Sequence, residues 1–328
     1  MDLFSIILII LGLVLFEIIN SVDNAIINAE VLSTMSERAR KLFLFVGILT
    51  AVFLVRGLLP WFIIWISSPS LSILEAFYAA FSSDLSVQAT LEASAPILLT
   101  GSGVFLVLLF LHWFFMEEKH VLFRGIESSE KRGLYYYAWM AGVVGIIILL
   151  SIGKSRYVAF AAVIGMSIFL LMEHVKDKSE THVKGLKTHT RFSDGAKIAY
   201  LEAIDASFSV DGVLGAFAFT FSVPLIIIGS GIGALVVRNL TIRNIATIHK
   251  YRFIKNGAMY AILFLGCVML LDAFGVVVPY WVSPVVTFFI VAFFFGYSKA
   301  HLAKSNVCEP PIAQQSMPHT KGIKMGGK

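Results

Sequence analysis

The chain reads as long apolar runs separated by short polar stretches. A helix needs roughly 20 apolar residues to cross a bilayer. Runs near that length are expected at 3–32, 42–66, 96–116, 135–152, 156–173, 196–221, 224–242, 257–279 and 284–300, which makes nine spans. Helices are the natural form, because in lipid they satisfy their own backbone hydrogen bonds. The first run follows Met1-Asp2 with no basic stretch and no small-residue cleavage site, so a retained span rather than a signal peptide is expected. The segment 67–95 is too polar to span. Its Ile73, Leu74, Phe77, Tyr78, Phe81 and Leu85 recur at helical spacing. They predict an amphipathic helix on the membrane or on the bundle, bracketed by Pro69 and Pro96.

Composition agrees with this pattern. The chain is 58% hydrophobic and 14% charged, whereas a soluble domain carries about 25% charged residues. The expected fold class is an all-α polytopic membrane protein in contact with lipid. The net charge of +5 does not indicate nucleic acid, because the basic residues sit between spans. They concentrate in the loops 33–41, 117–134, 174–197 and 243–256 and in the tail. The opposite face has only Lys154 and Arg156. The positive-inside rule then puts the N-terminus outside and the C-terminus in the cytoplasm. The two cysteines, Cys267 and Cys308, form no CxxC pair.

Polar chemistry interrupts the first span. Glu17, Asn20, Ser21, Asp23, Asn24 and Asn28 lie inside an apolar run. The spacing acid-x-x-x-Ser-Val-Asp returns at Asp205-Ala-Ser-Phe-Ser209-Val-Asp211-Gly212, with Glu202 just ahead of it. A carboxylate at membrane depth costs several kcal/mol, so it is expected to face a bundle interior or a hydrated path. On a regular helix Glu17, Ser21, Asn24 and Asn28 share a stripe, and Asp23 stands roughly 120° away. Asp211 is offset in the same way from Glu202, Asp205 and Ser209. This predicts local unwinding near Ser21 and Ser209, which would turn each Asp inward. Carboxylates, carboxamides and hydroxyls are hard oxygen donors that suit Mn²⁺, Mg²⁺ or Ca²⁺. Neither motif holds His or Cys, which argues against zinc. The candidate metal ligands are Glu17, Ser21, Asp23, Asn24, Glu202, Asp205, Ser209 and Asp211. The competing role for such groups is to join helices by hydrogen bonds.

Two arginines lie within spans. Ala51-Val-Phe-Leu-Val-Arg56 matches Gly233-Ala-Leu-Val-Val-Arg238. A cation does not bind a cation, so both are expected to pair with the motif acids. The acidic motif and the arginine motif therefore recur in the same order, five spans apart. That is the mark of an inverted-topology repeat with its site near the midplane. Residues 1–116 would form the first repeat, 117–195 the linking spans and basic loops, 196–300 the second repeat, and 301–328 a disordered cytoplasmic tail. Asp272 is a candidate second carboxylate or proton relay. His112 is expected to be a hydrogen-bonded packing residue. His174, His182 and His189 are expected in a solvated basic loop.

These motifs resemble the TerC/Alx family of integral membrane proteins, in the LysE-type transporter superfamily. The resemblance rests on Glu17-x-x-x-Ser21-x-Asp23-Asn24, on Glu202-Ala-Ile-Asp205-Ala-Ser-Phe-Ser-Val-Asp211, on the two Val-Arg contexts, and on Gly266-Cys-Val-Met-Leu-Leu-Asp272. It covers most of residues 1–300. Gly101-Ser-Gly-Val-Phe-Leu and Glu117-Glu118-Lys119 look more like a sister branch. Gly212 and Cys267 stand where that family usually carries Ser and often carries Lys. The family is implicated in manganese export and tellurite resistance. The resemblance implies a secondary exporter of a divalent cation, Mn²⁺ before Ca²⁺ or Mg²⁺, in a bacterial inner membrane. No prosthetic group is expected. One rival is a membrane protease, whose YD and GxGD motifs are missing. A second is an exporter of small organic solutes. A third is a membrane anchor that holds stress-response proteins at the loops 117–134 and 174–197.

Overall fold

The computed structural model describes residues 2–21, 31–32, 35–48, 50, 56–68, 70–81, 85–117, 129–188, 193–243 and 253–308. Among them the regular structure is helical, in the order α1 (Leu3–Asn20), α2 (Glu37–Ile48), α3 (Leu59–Ser67), α4 (Ile73–Phe81), α5 (Leu85–Met116), α6 (Ser129–Ile152), α7 (Arg156–Thr188), α8 (Asp194–Ala216), α9 (Val223–Arg243), α10 (Ile254–Ala273) and α11 (Val282–Cys308). Among the described residues six stretches are long and apolar enough to cross a membrane: Leu3–Asn20, Ala93–Met116, Gly133–Ile152, Arg156–Lys176, Ile254–Ala273 and Val282–Leu302. Large apolar side chains point out of the bundle, including Leu149 at 71% exposure and Phe289 at 65%. Water would penalise that surface, whereas lipid does not. The chain is a multi-pass helical membrane protein.

The helices begin and end where local chemistry dictates. A capping box opens α4: Ser72 Oγ accepts from the Glu75 amide at 3.3 Å, and Glu75 Oε2 accepts from the Ser72 amide at 2.8 Å. Ala76, Ala79 and Ala80 of α4 face the protein, and Leu74, Phe77 and Tyr78 face outward. The expected amphipathic element is therefore real but short. Residues 85–95 belong instead to α5, and Pro96 lies inside that helix rather than ending the segment before it. Proline is tolerated in membrane helices when neighbours meet the carbonyls it strands. The expected span 42–66 is divided between α2 and α3, with one π-helical turn over 56–58. The expected run to 279 stops at Ala273, because Gly275 takes φ +91° and turns the chain out of α10. α7 runs on to Thr188, through residues expected to be loop. Hydropathy marks where lipid ends, not where a helix ends.

Small residues set the closest helix contacts, as usual in membranes. α1 lies on α9 across Gly229 and Gly233. A Cβ at Gly229 would come within 2.5 Å of Leu13 Cβ, and one at Gly233 within 2.6 Å of Glu17 Cβ. α5 sits between α10 and α7. Gly103 and Gly266 face each other, and a Cβ at Gly165 would strike the Gly101 carbonyl. Contacts rise in step along both helices, from Gly101 with Gly165 through Phe105 with Phe169 to His112 with Glu173, so α5 and α7 run in the same direction. The main core centres on Phe16, Phe105, Leu108, Tyr136 and Leu265. A smaller apolar cluster of Val31, Leu32, Met35, Ala39, Phe43, Ile198 and Leu201 joins α2 to the start of α8.

A polar clasp closes that second cluster. Ser36 donates to Asp194 Oδ2 from its hydroxyl at 2.6 Å and from its amide at 3.2 Å. The Ser36 hydroxyl, then its amide, hold the Asp194 carboxyl below its ordinary value of 3.8. A carboxyl whose pKa falls on folding stabilises the fold above its unfolded value, and that stability is lost as pH drops through the folded value. The clasp should therefore hold at neutral pH and loosen only below 3.8. Hydrogen exchange at the Ser36 amide should show this acid step, and Ser36→Ala, which loses the hydroxyl but keeps the amide donor, should weaken it and move it to higher pH. An acid step unchanged in Ser36→Ala would mean that another group controls the opening.

Candidate functional site

The sequence motifs place carboxylates on α1 and α8, and the structure brings these two helices together. A Cβ on Gly212 of α8 would lie 3.4 Å from both Asn20 Nδ2 and Glu17 Oε2 of α1. Gly215, one turn on, receives the Phe16 ring. Three cations of the chain meet this acidic surface.

Glu17 is buried at the last turn of α1, with its side chain 1% exposed. Arg56 reaches it as a fork: Nε donates to Oε2 at 3.2 Å and Nη2 to Oε1. Ser21 Oγ donates to Oε1 at 2.7 Å. Both Glu17 oxygens are thus engaged, and Arg56 is the charge partner its sequence context predicted. Ser21 is the C-cap of α1, and residues 22–30, which would carry the expected unwinding, lie outside the described residues. Asp23, Asn24 and Asn28 lie outside the described residues.

Arg238 makes the second pairing. Its Nη2 donates to Asp205 Oδ2 at 2.8 Å, its Nη1 donates to the Phe43 carbonyl at 3.3 Å, and its guanidinium lies 4.9 Å from the Phe43 ring centre. Arg238 does not snorkel away from the acids. Glu202 stands 3.6 Å from Nη1, close enough for ionic attraction but too far for a hydrogen bond. Gly47 makes room for this pair, since a Cβ there would overlap the Arg238 guanidinium and the Glu202 carboxylate. Asp205 feels the charges of Arg238, Arg56 and Glu17, so the two pairings form one electrostatic cluster.

The third pairing was not foreseen. Lys176 of α7 donates to Asp211 Oδ2 at 2.5 Å. The run of polar residues after the apolar part of α7 puts Lys176 in a cytoplasmic loop, but the extended α7 carries it back to α8. The expected unwinding at Ser209 is also absent. α8 is continuous through Ser209, whose hydroxyl donates to the Asp205 carbonyl at 2.7 Å, one turn back. The cause is Lys176: it meets Asp211 from another helix, so the backbone has no need to turn the carboxylate elsewhere. Ser209 spends its hydroxyl on the helix.

What stays open is specific. Neither oxygen of Glu202 has a hydrogen-bond partner among the described residues, and neither does Asp211 Oδ1. Glu202 is 8% exposed and Asp211 5% exposed. Buried polar atoms are rarely left unpaired, and each exception calls for an explanation. Among the described residues no three His, Cys, Asp or Glu side chains already stand close enough to hold a metal ion.

The remaining candidates lie elsewhere. Asp272 is exposed in the last turn of α10, with no hydrogen bond or ion pair to the cluster among the described residues. His112 on α5 pairs with Glu173 on α7 at 2.9 Å and packs against the Tyr136 and Phe169 rings, the packing role expected of it. His174 is exposed on α7, the backbone of His182 continues that helix, and His189 lies outside the described residues. Sequence spacing missed Gly47 and Lys176. The one signal for Lys176 was that it begins a polar stretch directly after an apolar run, where a helix often continues past the lipid.

No curated protein and no solved structure matches the chain. A family model described as "Protein of unknown function (DUF475)" matches residues 22–303. The match takes in Arg56, Arg238, Lys176 and all the α8 acids, and begins just after Glu17 and Ser21. Since it spans most of the 328 residues, the chain belongs to the DUF475 family.

Proposed function

We propose that the protein is a secondary transporter that exports a divalent cation through the α1–α8 carboxylate cluster. The carrying observation is Glu202: a carboxylate buried in the cluster, with neither oxygen hydrogen-bonded among the described residues. Evolution could have removed that cost with an apolar side chain. A divalent ion entering the cluster would instead satisfy it. Asp211 Oδ1 supplies a second free oxygen. Arg238 and Lys176 hold the neighbouring acids as tethered counter-ions, and an arriving ion would displace them. Asp23 and Asn24 would complete the ligand set.

Mn²⁺ is the favoured substrate, by the resemblance of both motifs to the TerC/Alx family and because the donors are hard oxygens. The transport cycle would be alternating access. The α1 and α8 halves would form an inverted repeat within nine crossings, three more than the six long apolar helices. The charged α8 and the shorter apolar stretches Arg56–Ser67 and Val223–Asn239 supply the additional crossings. The basic loops put the N-terminus outside and the C-terminus in the cytoplasm of a bacterial inner membrane. Protons are the natural driving ion.

Glu202→Gln tests this cleanly. It removes a buried charge that has no hydrogen bond to lose but also the attraction to Arg238 at 3.6 Å, and Arg238 keeps Asp205 as its partner, so the melting temperature should change little. It should also fail to lower the manganese content of cells grown in excess manganese. Asp211→Asn keeps an acceptor for Lys176 and should fail in the same way, whereas Asn28→Ala should be milder. Cellular manganese measured at matched membrane levels decides. If both acid variants lower it like wild type, the transport reading fails and the membrane-anchor role becomes the better one.

A further inference from the structure

A cleft of about 500 Å³ opens on the lipid-facing side between α3, α5 and α7, and its inner end reaches α8. Its walls are Leu59, Phe62 and Ile66 of α3, Ile97 and Leu98 of α5, and a stripe along α7. That stripe runs Tyr157, Ala161, Ile164, Ile168, Met172. From Tyr157 to Met172 the helix rises fifteen steps, or about 22 Å at 1.5 Å per residue. The hydrocarbon core is about 30 Å thick, so the cleft follows the membrane normal past its middle. Phe62, Ile66 and Phe160 at its rim are 44%, 51% and 63% exposed, so it is open sideways.

The polarity of the cleft is one-sided. Its body is hydrocarbon, which water and polar solutes would not fill. Its mouth is not. Tyr157 lines it there, and the Arg156 guanidinium stacks 5.4 Å from the Tyr157 ring centre. Arg156 is exposed and pairs with no carboxylate among the described residues. Together with Lys154 it breaks the charge asymmetry of the chain, standing on a face whose other loops, 67–95 and 279–284, hold no Lys or Arg. A positive group at the water end of an open hydrocarbon slot is complementary to one kind of membrane molecule. We propose that the cleft binds a phospholipid with an anionic head group, one acyl chain lying along the α7 stripe and the phosphate resting on Arg156. The inner end explains why the site matters. Val210 lines it and directly precedes Asp211, and Met172 lies one turn before Lys176. The chain terminus would brace α7 against α8 where Lys176 meets Asp211.

The purified full chain, stripped of lipid in detergent, is titrated with phosphatidylglycerol or with phosphatidylcholine, and retained lipid is counted by native mass spectrometry. Wild type should retain one phosphatidylglycerol and prefer it roughly fivefold, as one basic side chain on an anionic head group gives. Arg156→Gln changes an exposed residue and should erase the preference while keeping retention. Ile164→Trp should fill the slot and prevent retention of either lipid. Equal retention of the two lipids by wild type, an undiminished preference in Arg156→Gln, or normal retention by folded Ile164→Trp would each overturn the proposal. Should Ile164→Trp fail to fold, the Arg156→Gln comparison decides alone.

Discussion

Arg56→Ala is expected to cost about 3–5 kcal/mol of stability, the usual price of stranding one member of a buried ion pair. Glu17 and Arg56 have side chains 1% and 6% exposed, so neither can turn to water when the other is lost. The alanine variant would leave Glu17 with Ser21 alone and a void where the guanidinium lay. Folded protein in the membrane should fall sharply, and the melting temperature in detergent should drop. Arg56→Lys should fare between the two, because an ammonium keeps the charge but loses the two-pronged fit to both oxygens. Glu17→Gln combined with Arg56→Met should recover part of the loss, since an uncharged buried pair has no desolvation cost to offset. This series separates scaffold from function. If Arg56→Ala melts like wild type, the pair does not hold α1 in place, and Glu17 must be counted with the open oxygens of Glu202.

Much of this arrangement was legible in the sequence, for a plain reason. Charges inside apolar runs are expensive, so Glu17 and Arg56 had to find partners, and few were within reach. The repeated Val-Arg contexts likewise pointed Arg238 at the α8 acids. Apolar length located the lipid-crossing stretches, and the alternation of basic loops ordered them. The misses share a different origin. Lys176 sits beyond the apolar part of α7, where hydropathy has nothing further to say about helix or loop. Its pairing with Asp211 joins residues 35 apart in sequence and depends on how two helices cross. The offset of Asp211 reads as strain when one helix is considered alone, but a neighbouring helix meets it and leaves Ser209 in regular helix. Pro96 reads as a boundary on a rule that holds in water and relaxes inside a bundle. The glycines that carry the packing, Gly101, Gly165, Gly229 and Gly233, signal close approach only once a partner is known.

Gly233→Leu should disable both the fold and the site. α1 rests on α9 so closely that even a Cβ at Gly233 would lie 2.6 Å from Glu17 Cβ, 2.8 Å from Glu17 Cγ and 2.9 Å from the Val14 carbonyl. The Glu17 Cβ and the Val14 carbonyl are fixed by the backbone, so they cannot swing away. The helix itself must move. Overpacking of this kind costs typically about 1–3 kcal/mol. Helix propensity works the other way, favouring leucine over glycine by somewhat under about 1 kcal/mol. The steric cost should win, and displacing α1 should also pull Glu17 from the Arg56 fork. Gly145 on α6 provides the control, because a Cβ there meets nothing within 4 Å. Gly145→Leu therefore keeps the propensity gain without a clash at Cβ and should melt at or slightly above the wild-type temperature. Thermal unfolding of both variants in the same detergent makes the comparison. Equal stability for the two would show that α1 and α9 are not packed backbone to backbone, and the placement of Glu17 beside α9 would have to be given up.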